Sequence, residues 1–336
     1  MATTLRNVAQ LAQVSVKTVS NVINDHPHVS ADVRRRVEQA IRQLDYRPNL
    51  AARALRTGRS GLIGLAVPSV DEPGPPGLVD QIIGHATRLG FQVVIEPLRN
   101  PRSRATAAER SAARPRVDAM LLATESVPPE LVDTQIRTGI PVVVLTARLD
   151  PRFDCVALDA TAAARDATNH LLRTGRRRIA AVGAHPGEAD GPPQPRTVGY
   201  HQAVDRAGIH PPPGYLQPTP GQRHEDGYRA AQTLLNHQQP PEAIFCYNDR
   251  LASGVIRAAV DRGLRVPEDL AVIGIGDSEE GRYSRPTLST VTTEPGYIAR
   301  NAFELLTRRL NGTAGPIAQI VAPHALRPRE STATTH

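Results

Sequence analysis

The stretch LRNVAQLAQVSVKTVSNVIND, residues 5–25, contains two short segments with helical apolar spacing, separated by the step AQV. Thr4 can cap the first helix, and Ser15 can cap the second, whose Val19 and Val22 share one apolar face. Because the link between the segments is so short, the two helices must cross sharply. The stretch therefore predicts a helix-turn-helix.

A strong positive charge accompanies this motif. Residues 1–60 carry ten basic and four acidic side chains, while the whole chain has a formal net charge of +7. Ser30 can cap a third helix that carries Arg34, Arg35 and Arg36 beside its apolar stripe. A small basic three-helix unit of this kind indicates a polyanionic partner.

The second helix of such a unit enters the major groove of DNA with its first residues at the base edges. We expect Lys17 to donate to guanine, Asn21 to pair with adenine, and Val16 to pack on a thymine methyl group. The alternative is an amphipathic helix whose polar face meets only solvent. The side chains expected to hold the unit on the phosphate backbone are Thr4, Ser15, Thr18 and Ser20.

The opening stretch and the segment HVSADVRRRVEQAIRQLDYRPNLAARALRTGRSGLIGLAVP, residues 28–68, resemble the head of the LacI/GalR family of bacterial transcription regulators. The likeness includes a VSxxTVSxVxN core, a YxPN linker and an AxxL hinge. It implies a hinge helix that folds on operator DNA, with Asn49 as its cap, Ala52 at the close approach and Leu55 as a minor-groove wedge. Gln13 stands where the family commonly has glycine, so a slightly strained turn is expected.

From Leu62 onward, short apolar runs such as LIGLAVP and DLAVIGIGD alternate with helical stretches, which predicts doubly wound parallel sheets. The resemblance implies a periplasmic-binding-protein-like core of two lobes, between which the chain crosses three times, first near Asp159. The expected domains are a helix-turn-helix DNA-binding domain at 1–48, a hinge helix and linker at 49–60, and a two-lobed effector-binding and dimerisation domain at 61–336.

The resemblance also implies an effector site in the cleft between the lobes. An arginine fork, carboxylates and an amide that converge at strand ends would suit a hydroxylated or anionic ligand. The alternative for each residue is a structural role, since caps are common at strand ends. The expected effector-binding residues are Asp159, Arg196, Asn248, Asp249 and Asp277.

Two departures from the family pattern concern this cleft. Gly276 stands where a ligand-binding carboxylate is common, and the chain has no tryptophan and only 3% aromatic residues. A sugar stacked on an aromatic side chain is therefore disfavoured. Either the ligand is not a typical sugar, or the response to a ligand has been lost.

Other classes of function receive little support. No GxSxG elbow or metal-spaced ligand set is present, so we expect no enzyme activity, no metal and no cofactor. Cys155 and Cys246 lie in apolar runs typical of small core residues. No apolar run is long enough for a membrane helix, and the N-terminus does not resemble the signal peptide that a secreted solute-binding protein needs.

These observations favour a cytoplasmic homodimer that binds a pseudo-palindromic operator as a transcriptional regulator, most simply a repressor. The expected partners are double-stranded operator DNA, a second copy of the chain and a small-molecule effector in the cleft. The alternative is a DNA-binding regulator that no longer responds to an effector.

Overall fold

A computed structural model describes residues 4–23, 28–46, 59–68, 76–97, 117–124, 139–146, 150–184, 193–313 and 315–333. The chain divides into two compact units, Met1–Gly61 and Leu62–His336. The predicted hinge residues Asn49, Ala52 and Leu55 lie outside the described residues.

Helices and strands are numbered in chain order within the described residues. The helices are α1 Leu5–Ala12, α2 Val16–Ile23, α3 Ala31–Gln43, α4 Leu78–Arg88, α5 Ala160–Arg173, α6 Pro195–Arg206, α7 His224–Leu235, α8 Asp249–Asp261, α9 Glu279–Tyr283 and α10 Pro295–Leu310. The strands are β1 Leu62–Val67, β2 Gln92–Pro97, β3 Ala119–Ala123, β4 Val142–Thr146, β5 Asp154–Leu158, β6 Ile179–Ala184, β7 Leu216–Pro218, β8 Ala243–Cys246, β9 Ala271–Gly276, β10 Ser289–Thr293, β11 Gln319–Ala322 and β12 His324–Arg327.

The first unit, the head, contains α1, α2 and α3 around a small apolar core. Ser30 caps α3, and Gln13 ends α1 in the left-handed region at φ 53°, as the departure from glycine predicts. This turn leaves only three residues between the end of α1 and the start of α2. The buried residues of the head are Val8, Ala9, Ala12, Val19, Val22, Val37, Ala40 and Tyr46.

The second unit, the core, has two sheets of six strands each. The sheet of lobe 1 has the order β11-β5-β4-β3-β1-β2, and all its strand pairs are parallel. The sheet of lobe 2 has the order β12-β10-β9-β8-β6-β7, with only β12 antiparallel to its neighbour. Strands buried on both faces explain the nearly continuous apolar runs in the sequence.

The chain crosses between the lobes three times. The first crossing is at Asp159, between β5 and α5, the second is at Glu294, between β10 and α10, and the third is at Pro323, between β11 and β12. The predicted two-lobed architecture is therefore confirmed. Within the part of the chain that the structure describes, no helix combines the length and the apolar character needed to span a membrane.

A partly buried ion pair fastens α10 and the segment after it to lobe 1. Arg309 Nε and Nη2 donate to the two carboxylate oxygens of Asp154 at 2.6 and 2.9 Å, and the amide of Ala318 donates to the same carboxylate at 2.8 Å. The Asp154 side chain is only 4% exposed. The part of the chain between the second and third crossings is therefore held against β5 of lobe 1.

Candidate DNA interface and interlobe cleft

The start of α2 is organised by two hydroxyl groups. The amide of Thr18 donates to Ser15 Oγ at 3.0 Å, and the two hydroxyl groups lie 2.8 Å apart. Ser15 is thus the helix cap that its sequence position predicts. Each hydroxyl oxygen keeps capacity for a further hydrogen bond, such as one to a phosphate.

The outer face of α2 presents the residues that were predicted to read bases. Val19 and Val22 are buried in the head, whereas Lys17 is exposed and Val16 keeps 42% of its surface accessible. Asn21 is half-buried, and Ser20 has the same degree of burial. A charged side chain and an apolar side chain therefore stand together at the start of the helix, which is the end that reaches base edges.

Thr4 and Asn7 form a reciprocal cap at the start of α1. The Thr4 amide donates to Asn7 Oδ1 at 2.9 Å, and the Asn7 amide donates to Thr4 Oγ1 at 3.4 Å. The first turn of α1 contains no acidic residue. Exposed amide dipoles without a nearby carboxylate suit a phosphate group.

At the first crossing, Asp159 serves as the cap of α5. Its Oδ1 accepts from the amide of Ala162 at 2.8 Å, and the residue is exposed beside the cleft. Arg196 lies in the first turn of α6 and is half-buried. The next residue, Thr197, shares a short hydrogen bond with the hydroxyl of Tyr247, which fixes the start of α6 against β8.

Asn248 and Asp249 make their hydrogen bonds inside lobe 2. Asn248 Oδ1 accepts from the amide of Leu251 at 2.8 Å, and its Nδ2 donates to the carbonyl and side chain of Gln222 at 3.1 and 3.0 Å. Asp249 is 3% exposed. Its carboxylate accepts from the Ser278 amide and the Thr290 hydroxyl, both at 2.7 Å.

Residues 276–278, which we call the cleft turn, follow β9. Asp277 adopts φ 60°, its amide donates to Thr290 Oγ1 at 3.3 Å, and its carboxylate accepts from Arg282 and Arg329. Thr290 therefore joins the two aspartates, because its hydroxyl donates to Asp249 and accepts from Asp277. The cleft turn is held by partners from α8, α9, β10 and the C-terminal segment.

The two aspartates have opposite pKa shifts. Burial raises the pKa of Asp249, and its hydrogen bonds offset only part of that effect. Burial acts in the same direction on Asp277, but the hydrogen bonds from Arg282 and Arg329 outweigh it and lower the pKa of this carboxyl. Asp277 is therefore an anion that two guanidinium groups already neutralise.

Comparison with known proteins places these sites in a family. Residues 4–49 match the model of bacterial regulatory proteins of the lacI family, and residues 168–332 match that of a periplasmic binding protein-like domain. The ribose operon repressor of Escherichia coli (strain K12) is 32% identical over 310 residues, which cover 91% of this chain and 93% of that protein. The chain belongs to the LacI family.

Other relatives match this LacI-family chain over nearly its whole length. Catabolite control protein A of Priestia megaterium is 29% identical over 334 residues, covering 99% of this chain and all of that protein. A crystal structure of the Lac repressor dimer bound to operator and the anti-inducer ONPF has a TM-score of 0.80 at 26% identity, covering 99% and 100% of the two chains. The family consists of transcriptional regulators, so the predicted class of function is confirmed and the chain is not an enzyme.

Sequence reasoning missed two features of this LacI-family cleft. Thr293 ends β10 beside the second crossing, is 3% exposed, and its Oγ1 has no hydrogen-bond partner among the described residues. Tyr247 is fully buried and supports the helix of Arg196 through Thr197. The position of Tyr247 directly before the predicted Asn248 was an available signal, whereas nothing near Thr293 in the sequence indicates an unpaired hydroxyl. Across the described positions, no three metal-binding side chains cluster.

Proposed function

We propose that the protein is a homodimeric transcriptional repressor that reads a pseudo-palindromic operator through α2. The observation that carries this proposal is the outer face of α2, where Val16 and Lys17 are exposed while Val19 and Val22 anchor the helix. In this role Lys17 contacts guanine, Asn21 contacts adenine, and Val16 contacts a thymine methyl group. Its site of action is the cytoplasm, where bacterial DNA lies.

Phosphate contacts would fix the head on the duplex. Thr4 and Ser15 stand at the starts of α1 and α2, where amide dipoles add to the hydroxyl groups. Thr18 and Ser20 lie on α2 with partial exposure, which leaves them within reach of a phosphate. In the same proposal Asn49, Ala52 and Leu55, which lie outside the described residues, form the hinge helix and its wedge.

The second copy of the chain would pack on one side of lobe 1. Helix α4 contacts the edge strand β2, and the two elements with the helix cap Leu89 expose four large apolar side chains, each between 38% and 50% accessible. Successive strand residues point to opposite faces, so these side chains lie along the edge of the sheet, with Ile95 on one face of β2 and Val94 on the other. Clustered apolar exposure of this kind marks an interaction surface, and a covered edge strand is protected from improper pairing. We call this surface the β2 edge patch, formed by Ile83, Leu89, Val94 and Ile95.

The cleft is the proposed effector site, with Arg196 as its main cation and Asp159 as the exposed carboxylate. Asn248, Asp249 and Asp277 could contact a ligand only by exchanging some of their internal hydrogen bonds. A carboxylate-bearing or hydroxylated ligand without an aromatic stacking requirement suits this set. The second candidate is a regulator without effector response. It is favoured by the hydrogen bonds from Arg282 and Arg329 to the Asp277 carboxylate, because these bonds compete with a ligand.

Selection of bound sequences from a random duplex pool tests the DNA-binding proposal. We expect purified full-length protein to enrich a palindrome whose half-site centres lie about one helical turn apart. A variant with Lys17→Ala and Asn21→Ala serves as the matched control and should enrich no motif. Enrichment of no motif by the unchanged protein would contradict the proposal.

The effector proposal has a separate test that uses the enriched operator. A panel of aldoses, purines and small organic anions is screened for compounds that change operator affinity by the factor of about 5 to 150 typical of allosteric coupling. Arg196→Ala should abolish any such response and leave operator affinity unchanged. A panel without any active compound would favour the regulator that no longer responds to an effector.

A further inference from the structure

The two lobes touch at the rim of the cleft. Pro76 belongs to the lobe 1 segment that precedes α4, and Gly276 is the last residue of β9 in lobe 2. A Cβ atom added to Gly276 would lie 3.3 Å from Cδ and 3.4 Å from Cγ of Pro76. The proline ring therefore lies close against the open side of Gly276, and a side chain at this position would fit only with a small shift of the ring.

Gly276 is also restricted from the side of lobe 2. Its φ of +139° lies in a region that side-chain-bearing residues rarely adopt, and the same added Cβ would be 3.5 Å from Oδ2 of Asp249. The glycine is buried, whereas Pro76 remains exposed at the solvent edge. Pro76 therefore approaches a buried and conformationally restricted position from the solvent side.

The lobe 2 side of this contact is rigid. Asp249 binds the amide of Ser278, Thr290 binds the amide of Asp277, and Arg329 and Arg282 bind the Asp277 carboxylate. These hydrogen bonds are made entirely by groups of this chain. A ligand is therefore not needed to order the surface on which Pro76 rests.

We propose that Pro76 and Gly276 form a latch that holds the two lobes together in the absence of a ligand. In the ligand-free protein, the apolar contact between these two residues links the lobes, as a small molecule bound to both lobes would. A ligand that enters at this rim must displace Pro76, so the latch also opposes binding from this side.

The test measures the distance between the lobes in the full-length protein without DNA. Cysteines introduced as Glu304→Cys in lobe 1 and Gln232→Cys in lobe 2 occupy exposed helix positions, whereas Cys155 and Cys246 are fully buried. Donor and acceptor dyes on these sites report the distance by single-molecule energy transfer. An excess of unlabelled chain ensures that each assembly contains one labelled copy.

We expect one narrow, short-distance population in the ligand-free protein. Pro76→Ala removes the two ring carbons that face Gly276 and should raise the population at longer distance about fivefold, as expected for partly buried methylene groups. Pro213→Gly changes an exposed proline in a lobe 2 loop and should have no effect. If Pro76→Ala lowered the melting temperature of the core, Pro76→Val would be measured in its place. Valine keeps branched apolar carbons, so this variant should retain more of the short-distance population than Pro76→Ala.

A broad distribution in the unchanged protein, or identical distributions for the unchanged protein and Pro76→Ala, would overturn the latch. The measurement requires no operator, so it distinguishes failure of the latch from failure of the DNA-binding proposal. A chain that enriched no DNA motif could still have the latch, and a chain without the latch could still bind its operator.

Discussion

Predicted contact residues are exposed on the outer face of α2, whereas in the cleft turn they already form hydrogen bonds within the chain. On α2, Lys17 and Val16 project into solvent, and the helix is held from its opposite face by Val19 and Val22. In the cleft turn, Asp277 is engaged by two arginines of the same chain. The exposed side chains of α2 are therefore available to a partner, whereas the polar groups of the cleft turn already have hydrogen-bond partners within the chain.

Exposed and buried polar side chains therefore indicate different things about function. Exposed side chains on a well-anchored helix indicate an interface, because their exposure contributes little to the fold of the head. Buried polar side chains with full hydrogen bonding indicate stability first, since an unpaired polar group in that position would be costly.

The largest effect is expected at the β2 edge patch, which like α2 is exposed in the single chain. Val94→Glu would place a charge in the proposed dimer contact and should weaken the dimer by about 100-fold or more, because a buried unpaired charge costs several kcal/mol. Sedimentation at micromolar concentration measures the dissociation. Val321→Glu is the matched control, since Val321 is 51% exposed on β11, the opposite edge strand of the same sheet. Dissociation by the Val321 variant alone would place the interface at the other edge.

The next effect concerns Asp249, whose role separates structure from ligand binding. Asp249→Ala leaves the amide of Ser278 and the hydroxyl of Thr290 without their acceptor, so the free energy of unfolding of the core should fall by about 3 kcal/mol. Urea denaturation measures the change. An unchanged free energy of unfolding together with a lost ligand response would show instead that Asp249 serves the effector.

A smaller, position-specific effect is expected at Lys17. Lys17→Ala should remove discrimination at one symmetric pair of operator positions, worth about 1–3 kcal/mol per bidentate contact. Repeating the duplex selection with this variant measures the change. Arg35→Ala is the control, because Arg35 on α3 is exposed and pairs with Asp32. If Lys17→Ala lowered affinity uniformly and only reduced the salt dependence, Lys17 would be a phosphate contact.

The smallest effect is a pH dependence in lobe 2. Burial, together with Arg173 and Arg176, lowers the pKa of His170, whose Nε2 lies 2.7 Å from Thr332 Oγ1 in the C-terminal segment. The folded protein therefore favours neutral His170, and this contribution to stability is lost as the pH falls below about 6.5. Between pH 7.5 and 5.5 the unchanged protein should lose up to about 1 kcal/mol more stability than His170→Gln.

Chemical denaturation at both pH values provides this comparison. His201→Gln is the control, because it makes the same substitution at an exposed position on α6. Equal pH dependence of the unchanged protein and His170→Gln would contradict the assignment of the effect to His170.

Much of the fold follows from local sequence patterns. The apolar runs that became β1 and β9 and the caps at Ser15 and Ser30 depend on neighbouring residues only. The short strands β11 and β12 were not predicted. Each has four residues and gains its hydrogen bonds from strands far away in the chain, β5 and β10 respectively.

The cleft could be predicted only as a set of residue types near strand ends. The sequence places Asn248 and Asp249 after β8, but it does not reveal that Thr290, 41 residues later, donates to Asp249. Likewise, Arg329 reaches Asp277 from 52 residues away. Whether a polar side chain awaits a ligand or already has a partner depends on such distant contacts, which local patterns do not encode.

Amide hydrogen exchange of the full-length protein, with and without its selected operator, tests the contrast between head and cleft most directly. Amides in residues 15–21 should exchange more slowly when operator is added than in the protein alone. The amides of Asp277 and Ser278 should exchange slowly under both conditions, because Thr290 and Asp249 accept their hydrogen bonds. Fast exchange at Asp277 and Ser278 in the absence of ligand, or no operator protection on α2, would contradict this contrast.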